Sequence, residues 1–199
     1  MKNRQIGVLG GAFNPPHNLH LHVAQLAAEQ FGLETVLFVP SGKPPHKTDL
    51  LDGEIRFSMV KAAIEDNQLF QASRIEIDRE GITWSVDTLS ELKQLYGDRV
   101  DLNFIIGEDN LAPLKSYDRR DELTGLCRLI VCPRQAVWTA GKLRTWKKRL
   151  GGASMGLLDC PIFPVSSTIV RDRARKGLSI RYLVQPKVAD IIAEQKLYR

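Results

Sequence analysis

A chain of 199 residues, 43% apolar and 26% charged, has the balance of a globular domain and can bury a sizeable core, which excludes a disordered chain. No apolar run approaches the ~18–20 residues of a membrane helix, and Met1-Lys2-Asn3-Arg4-Gln5 carries no export pattern, so a cytoplasmic location without a membrane partner is expected. The net charge of +5 suits an anionic partner, and by itself it does not separate nucleic acid from a phosphate-rich small molecule.

Ile6-Gly7-Val8-Leu9 reads as a short buried strand closed by Gly10-Gly11. After Pro15-Pro16, residues 17–31 place Leu21, Ala24, Ala27, Ala28 and Phe31 at helical spacing, and Gly32 ends the helix. Residues 35–40 form a second strand stopped by Pro40. A polar loop covers 41–53, and a second helix 54–66. Residues 70–77 are expected as a strand, and 86–96 as a helix. Apolar strands follow at 102–107 and 128–133, with a short strand within 154–164. Helices start at Ser166 and cover 184–195. The run Lys142–Arg149 sets Leu143, Trp146 and Leu150 on one helical side and cations on the other. This is a solvated helix face rather than a nucleic-acid platform, which would interleave aromatics.

Strands alternating with helices predict an α/β chain, with a parallel sheet covered by helices on both faces in a single domain over 1–199. Ligands gather beyond the carboxyl ends of such strands. The informative loops are therefore 10–20, 40–47, 107–110, 133–134 and 164–171. Cys127, Cys132 and Cys160 are odd in number and loosely spaced, which fits buried free thiols better than a disulfide framework or a metal knuckle.

The segment Gly10-Gly11-Ala12-Phe13 can bring backbone amides close to phosphate oxygens. It lacks the third glycine of a dinucleotide loop and the Gly-Lys-Ser/Thr of a Walker loop. All four histidines, His17, His20, His22 and His46, lie in the first quarter of the chain. His17 and His20 share a helix face one turn apart, at a helix start that favours anions. Their imidazoles can donate to a phosphoryl group, and an ordinary polar helix start accounts for an isolated pair equally well. His22 points elsewhere. Zinc would need further ligands that the spacing does not supply, so no metal site is expected in the protein itself. Ser166, Ser167 and Thr168 offer hydroxyls at a later helix start, with Arg171 a turn on.

Gly10-Gly11-Ala12-Phe13-Asn14-Pro15-Pro16-His17-Asn18-Leu19-His20 resembles the signature of the nucleotidyltransferases with a Gly-x-Phe-Asp/Asn-Pro-x-His-x-Gly-His motif. Further segments, in the same order, resemble bacterial nicotinate-mononucleotide adenylyltransferases. They are Phe38–Lys47, Ile82–Leu89, Phe104–Leu111, Leu129–Arg134, Val165–Arg171 and the terminal Leu197-Tyr198-Arg199. Three places depart from the pattern. Leu19 replaces the glycine between the histidines, Asn14 replaces the commoner Asp, and Leu114-Lys115-Ser116-Tyr117 stands where a Trp-containing segment is usual.

The resemblance implies a Rossmann-like fold and the transfer of AMP from ATP to nicotinate mononucleotide, with pyrophosphate leaving and Mg2+ held mainly by the ATP phosphates. His17 and His20 become the catalytic donors. Gly10, Gly11, Ala12, Phe13, Gly107, Asp109, Arg134, Ser166, Thr168 and Arg171 become ATP contacts, and Ser41, His46, Lys47, Trp84, Ser85 and Tyr117 acceptor contacts. Nicotinamide mononucleotide or phosphopantetheine as acceptor, and a non-catalytic nucleotide binder, are the competing readings. Whether the chain forms a homo-oligomer is left open.

Overall fold

Six strands and eight helices alternate along the chain in the computed structural model, which describes residues 3–44, 49–134, 138–161 and 164–199. The strands are β1 (Arg4–Gly11), β2 (Thr35–Pro40), β3 (Phe70–Ala72), β4 (Val100–Gly107), β5 (Cys127–Cys132) and β6 (Met155–Leu157). The helices are α1 (Asn18–Phe31), α2 (Gly53–Ile64), α3 (Ser85–Tyr96), α4 (Leu111–Lys115), α5 (Arg120–Leu126), α6 (Ala140–Arg149), α7 (Ser167–Arg175) and α8 (Pro186–Glu194).

The strands hydrogen-bond in the order β3-β2-β1-β4-β5-β6. Pairing is parallel for β1 with β4, β4 with β5 and β5 with β6, with Val8 opposite Phe104 and Phe104 opposite Leu129. Parallel neighbours need crossovers, which the helices supply, and these are right-handed almost without exception. The reversal of order between β1 and β4 therefore sends helices to opposite faces. This is the Rossmann-like α/β arrangement, whose ligand crevice lies where the order reverses. Strands covered on both faces must be apolar throughout. Leu129, Ile130 and Val131 are 0% exposed, which explains why β5 reads as a continuous apolar run.

The chain forms two compact units. The first takes the chain up to Gly10, Ala24–Val36, and the chain from Trp84 through β6. Its core gathers β4 and β5 with Leu89 and Leu92 of α3 and Leu123 of α5. The second takes Gly11–Val23, Leu37–Thr83 and the stretch with α7 and α8. There Met59, Val170, Val184, Val188, Ile192 and Leu197 pack α2, α7, α8 and the C-terminal residues together.

The expected strand over 70–77 stops at Ala72. Ile75 and Ile77 alternate as a strand would, but the Asp78 amide donates to the Arg74 carbonyl at 2.9 Å and closes a turn. The short helices α4 and α5 were not read from the sequence, being too brief for periodicity to register. The basic helix α6 is as expected, with Arg144, Lys148 and Arg149 exposed and Leu150 buried beneath. Cys127 and Cys132 are buried, and burial pushes both thiols up to about 12. Cys160 departs from the expectation of buried thiols, since it is half-buried in irregular chain beyond β6. No described helix is long and apolar enough to cross a membrane.

Ile130→Ala should leave a cavity at the centre of the sheet and cost ~2–5 kcal/mol, read as a lowered urea midpoint with an unchanged slope.

Candidate active site

The signature segment turns sharply as it leaves β1. Phe13 adopts φ 46°, a left-handed conformation that costs an ordinary residue ~1 kcal/mol or more. Its side chain offsets that cost: the ring is 1% exposed, 5.8 Å from the Phe38 ring and edge-on to His20 at 4.9 Å. The Asn14-Pro15 peptide bond is cis.

His17 is buried just before α1, and His20 lies half-buried in its first turn. Their rings stack at 3.7 Å with planes 20° apart, so both imidazoles lie together as the spacing implied. The His17 amide donates to His20 Nδ1 at 3.1 Å. A neutral His20 that accepts at Nδ1 must carry its proton on Nε2, so this backbone bond sets the tautomer as an Nε2–H donor. Leu19 is 8% exposed, so the residue in the family's glycine position fills core space under α1. His22 is exposed.

Side chains from distant parts of the sequence hold the carbonyls of this segment. Arg56 Nη1 donates to Ala12 O at 3.0 Å, Arg171 Nη1 to Asn14 O at 2.9 Å, and Ser167 Oγ to Pro15 O at 2.9 Å. Tyr198 Oη donates to Asn14 Oδ1 at 2.9 Å, while Asn14 Nδ2 donates to Asp49 O at 3.4 Å. An amide at position 14 thus serves as acceptor and donor at once, which an Asp carboxylate could not do. Ser166 caps α7 by accepting from the Ile169 amide at 3.3 Å, and Thr168 Oγ1 accepts from Arg171 Nη2 at 3.3 Å. Burial pushes the Tyr198 hydroxyl well above the usual tyrosine range, against the pull of Arg171 and Arg56, so it stays a donor.

The loop after β2 belongs to the same unit. The Ser41 amide donates to Gly11 O at 2.8 Å. A Cβ on Gly42 would lie 2.0 Å from the Glu76 carbonyl, so only glycine fits there. His46 and Lys47 lie outside the described residues.

The first unit carries the remaining predicted residues. Gly10 is the last residue but one of β1, and Gly107 ends the adjacent strand β4. Asp109 Oδ1 lies 3.6 Å from Arg134 Nε, in place of the simple helix cap it could have been. Trp84 precedes Ser85, the exposed first residue of α3. The Trp84 and Tyr117 rings stack at 5.8 Å with planes 26° apart. Glu108 was not read from the sequence as functional. It accepts from the Arg134 amide at 3.0 Å and from Lys142 Nζ at 2.7 Å, and Lys142 in turn lies over the Trp138 ring at 4.5 Å.

Residues 8–173 match the model of the cytidylyltransferase-like family. The chain belongs to that family. Its relatives extend the match to the full length. A Saccharopolyspora erythraea protein named "Probable nicotinate-nucleotide adenylyltransferase" is 40% identical, covering 100% of this chain and 91% of its own. A Synechococcus protein of the same name is 41% identical, covering 99% and 96%. Among solved structures, Plasmodium falciparum nicotinic acid mononucleotide adenylyltransferase complexed with NaAD superposes with a TM-score of 0.82. It is 19% identical and covers 98% of this chain and 97% of its own, a likeness of fold.

Within this family member, sequence reasoning missed Arg56 and Glu108, and it read Ser167 only as a hydroxyl at a helix start. Each meets a backbone atom of another segment. A lone Arg in the second helix, among otherwise solvated cations, was the sole trace of Arg56. For Glu108, burial alone would raise the pKa. The Lys142 ammonium and the Arg134 amide outweigh burial and hold the carboxyl at about 2, below its ordinary 4.5. Its stabilising effect is therefore complete above about pH 4.5 and is lost as pH falls towards 2. Glu108→Gln should flatten the acid limb of unfolding stability across that window, by no more than ~3 kcal/mol, measured by urea unfolding at stepped pH.

Proposed function

We propose that this protein transfers AMP from ATP to nicotinate mononucleotide, giving deamido-NAD and pyrophosphate in NAD biosynthesis. The observation that carries the reading is full-length likeness, at about 40% identity, to proteins named as nicotinate-nucleotide adenylyltransferases, in a chain whose signature histidines stack on one another.

The acceptor phosphate is already an anion and needs no activated side chain. One of its oxygens forms a bond to the α-phosphorus of ATP as the bond from that phosphorus to the β-phosphate oxygen breaks, and pyrophosphate leaves. Catalysis then consists of alignment and stabilisation of charge on the phosphoryl oxygens. In this reading His20 Nε2–H and His17 donate to those oxygens. Gly10, Gly11, Ala12 and Phe13 supply backbone contacts to the phosphates. Ser166, Thr168 and Arg171 hold the pyrophosphate side, while Gly107, Asp109 and Arg134 contact the adenosine. Ser41, His46, Lys47, Trp84, Ser85 and Tyr117 receive the acceptor, with the stacked Trp84 and Tyr117 rings offering a flat face to a pyridine.

Magnesium belongs to the reading as a companion of the triphosphate. It prefers oxygen ligands and keeps much of its water. The imidazole, hydroxyl and guanidinium groups gathered at the signature segment suit phosphate oxygens better than the ion. Bound on the triphosphate, it would neutralise phosphate charge. A cytoplasmic setting is part of the same proposal, since ATP and a charged mononucleotide do not pass a bilayer unaided.

Pyrophosphate release from Mg-ATP, offered nicotinate mononucleotide, nicotinamide mononucleotide and phosphopantetheine in parallel, should be fastest with the first. Preference for another would reassign the acceptor, and release with none would leave a nucleotide-binding protein without transfer activity. His20→Ala should lower turnover at saturating ATP by ~10²–10³-fold. Full turnover in that variant would remove His20 from the chemistry.

A further inference from the structure

Arg56 is 2% exposed, in the first turn of α2, and its guanidinium is spread over backbone carbonyls from three segments. Nε donates to Leu51 O at 2.8 Å, Nη1 to Ala12 O at 3.0 Å and Nη2 to Gly42 O at 3.3 Å. Burial lowers its pKa, while Asp52, Tyr198 and Glu76 favour its charged form. Keeping a cation here is costly in stability, because an apolar side chain of similar volume often does as well or better in such a place. What an apolar chain cannot do is hold three carbonyls in one plane, the geometry that a guanidinium supplies and a lysine ammonium does not.

The three segments matter for the reaction. Ala12 lies in the signature segment, Gly42 in the loop after β2, and Leu51 in the lead into α2. In a trans peptide the N–H of the next residue points opposite to the carbonyl. Fixing Ala12 O and Gly42 O therefore also fixes the directions of the Phe13 and Lys43 amides, away from the guanidinium. Both places need outside restraint. Phe13 sits at φ 46°, and Gly42 is pressed so close to the Glu76 carbonyl that a Cβ would not fit.

We infer that Arg56 is a positioning residue that locks the phosphate-facing signature segment and the acceptor loop into one arrangement through the carbonyls of Ala12 and Gly42. The inference rests on the adenylyl-transfer reading for the roles of those two segments.

The test compares Arg56→Lys and Arg56→Gln with Met59→Ala, which opens the apolar core that α2 shares with α7 and α8 one turn away and lies outside both segments. All are assayed below the lowest melting temperature. Arg56→Lys and Arg56→Gln should each lose at least ~10-fold in kcat, with raised KM for both ATP and the acceptor. Met59→Ala should melt lower with kcat and both KM values near wild type. Retention of charge in the Lys variant should not rescue activity. Wild-type kinetics in either Arg56 variant, or a matching kcat loss in Met59→Ala, would overturn the inference, as would failure of both Arg56 variants to fold. ATP affinity is measured calorimetrically in the same set. If wild type transfers nothing to any acceptor, the transfer reading fails by itself. A weakened ATP affinity in the Arg56 variants, absent from Met59→Ala, would still support positioning of the signature segment, and an unchanged affinity would count against it.

Discussion

The carbonyls of the signature segment must be satisfied in a buried turn, and the second unit is organised around that demand. Backbone acceptors removed from water need partners. Neither strand nor helix provides them here, because Ala12 to Pro15 lies between β1 and α1. Side chains fill the role instead: Arg56 from α2, Ser167 and Arg171 from α7, and Tyr198 from the C-terminal residues. The packing of α2, α7 and α8 through Met59, Val170, Val188 and Ile192 then has a functional consequence, since it carries those donors.

Around the signature segment, Arg56 and Arg171 face neutral backbone oxygens, so each retains a donor's directionality. In the first unit, carboxylates take cations directly, as Glu108 does with Lys142 and Asp109 with Arg134. The tighter of these pairs anchors the basic helix α6 beside the segment that carries Arg134. The exposed pairs elsewhere, such as Arg74 with Asp78, stand in water and contribute little to stability.

The departures from the family pattern are reconciled by packing. Leu19 is directed into the core under α1, which also gains a better helix former than glycine. Asn14 uses both ends of its amide, towards Tyr198 and towards Asp49. Both residues are thus accommodated in the turn that carries the reading of function.

The sequence by itself determined the strand and helix alternation, because β2, β4 and β5 are long apolar runs and α1 keeps its helical period. It also singled out the short segments to which the adenylyl-transfer reading assigns chemistry, because glycine pairs, paired histidines and a Ser-Ser-Thr cap are local features whose physics operates over a few residues. It could not determine the end of β3, where Ile75 and Ile77 alternate like a strand but a turn closes between Arg74 and Asp78. Nor could it reveal which groups Arg56, Ser167 and Glu108 hold. Their partners are 44, 152 and 26 residues away in the chain, and two of those three partners are carbonyls and one an amide, groups that every residue possesses. Backbone atoms leave no mark in a sequence, so only the tertiary structure could decide which side chains reach them.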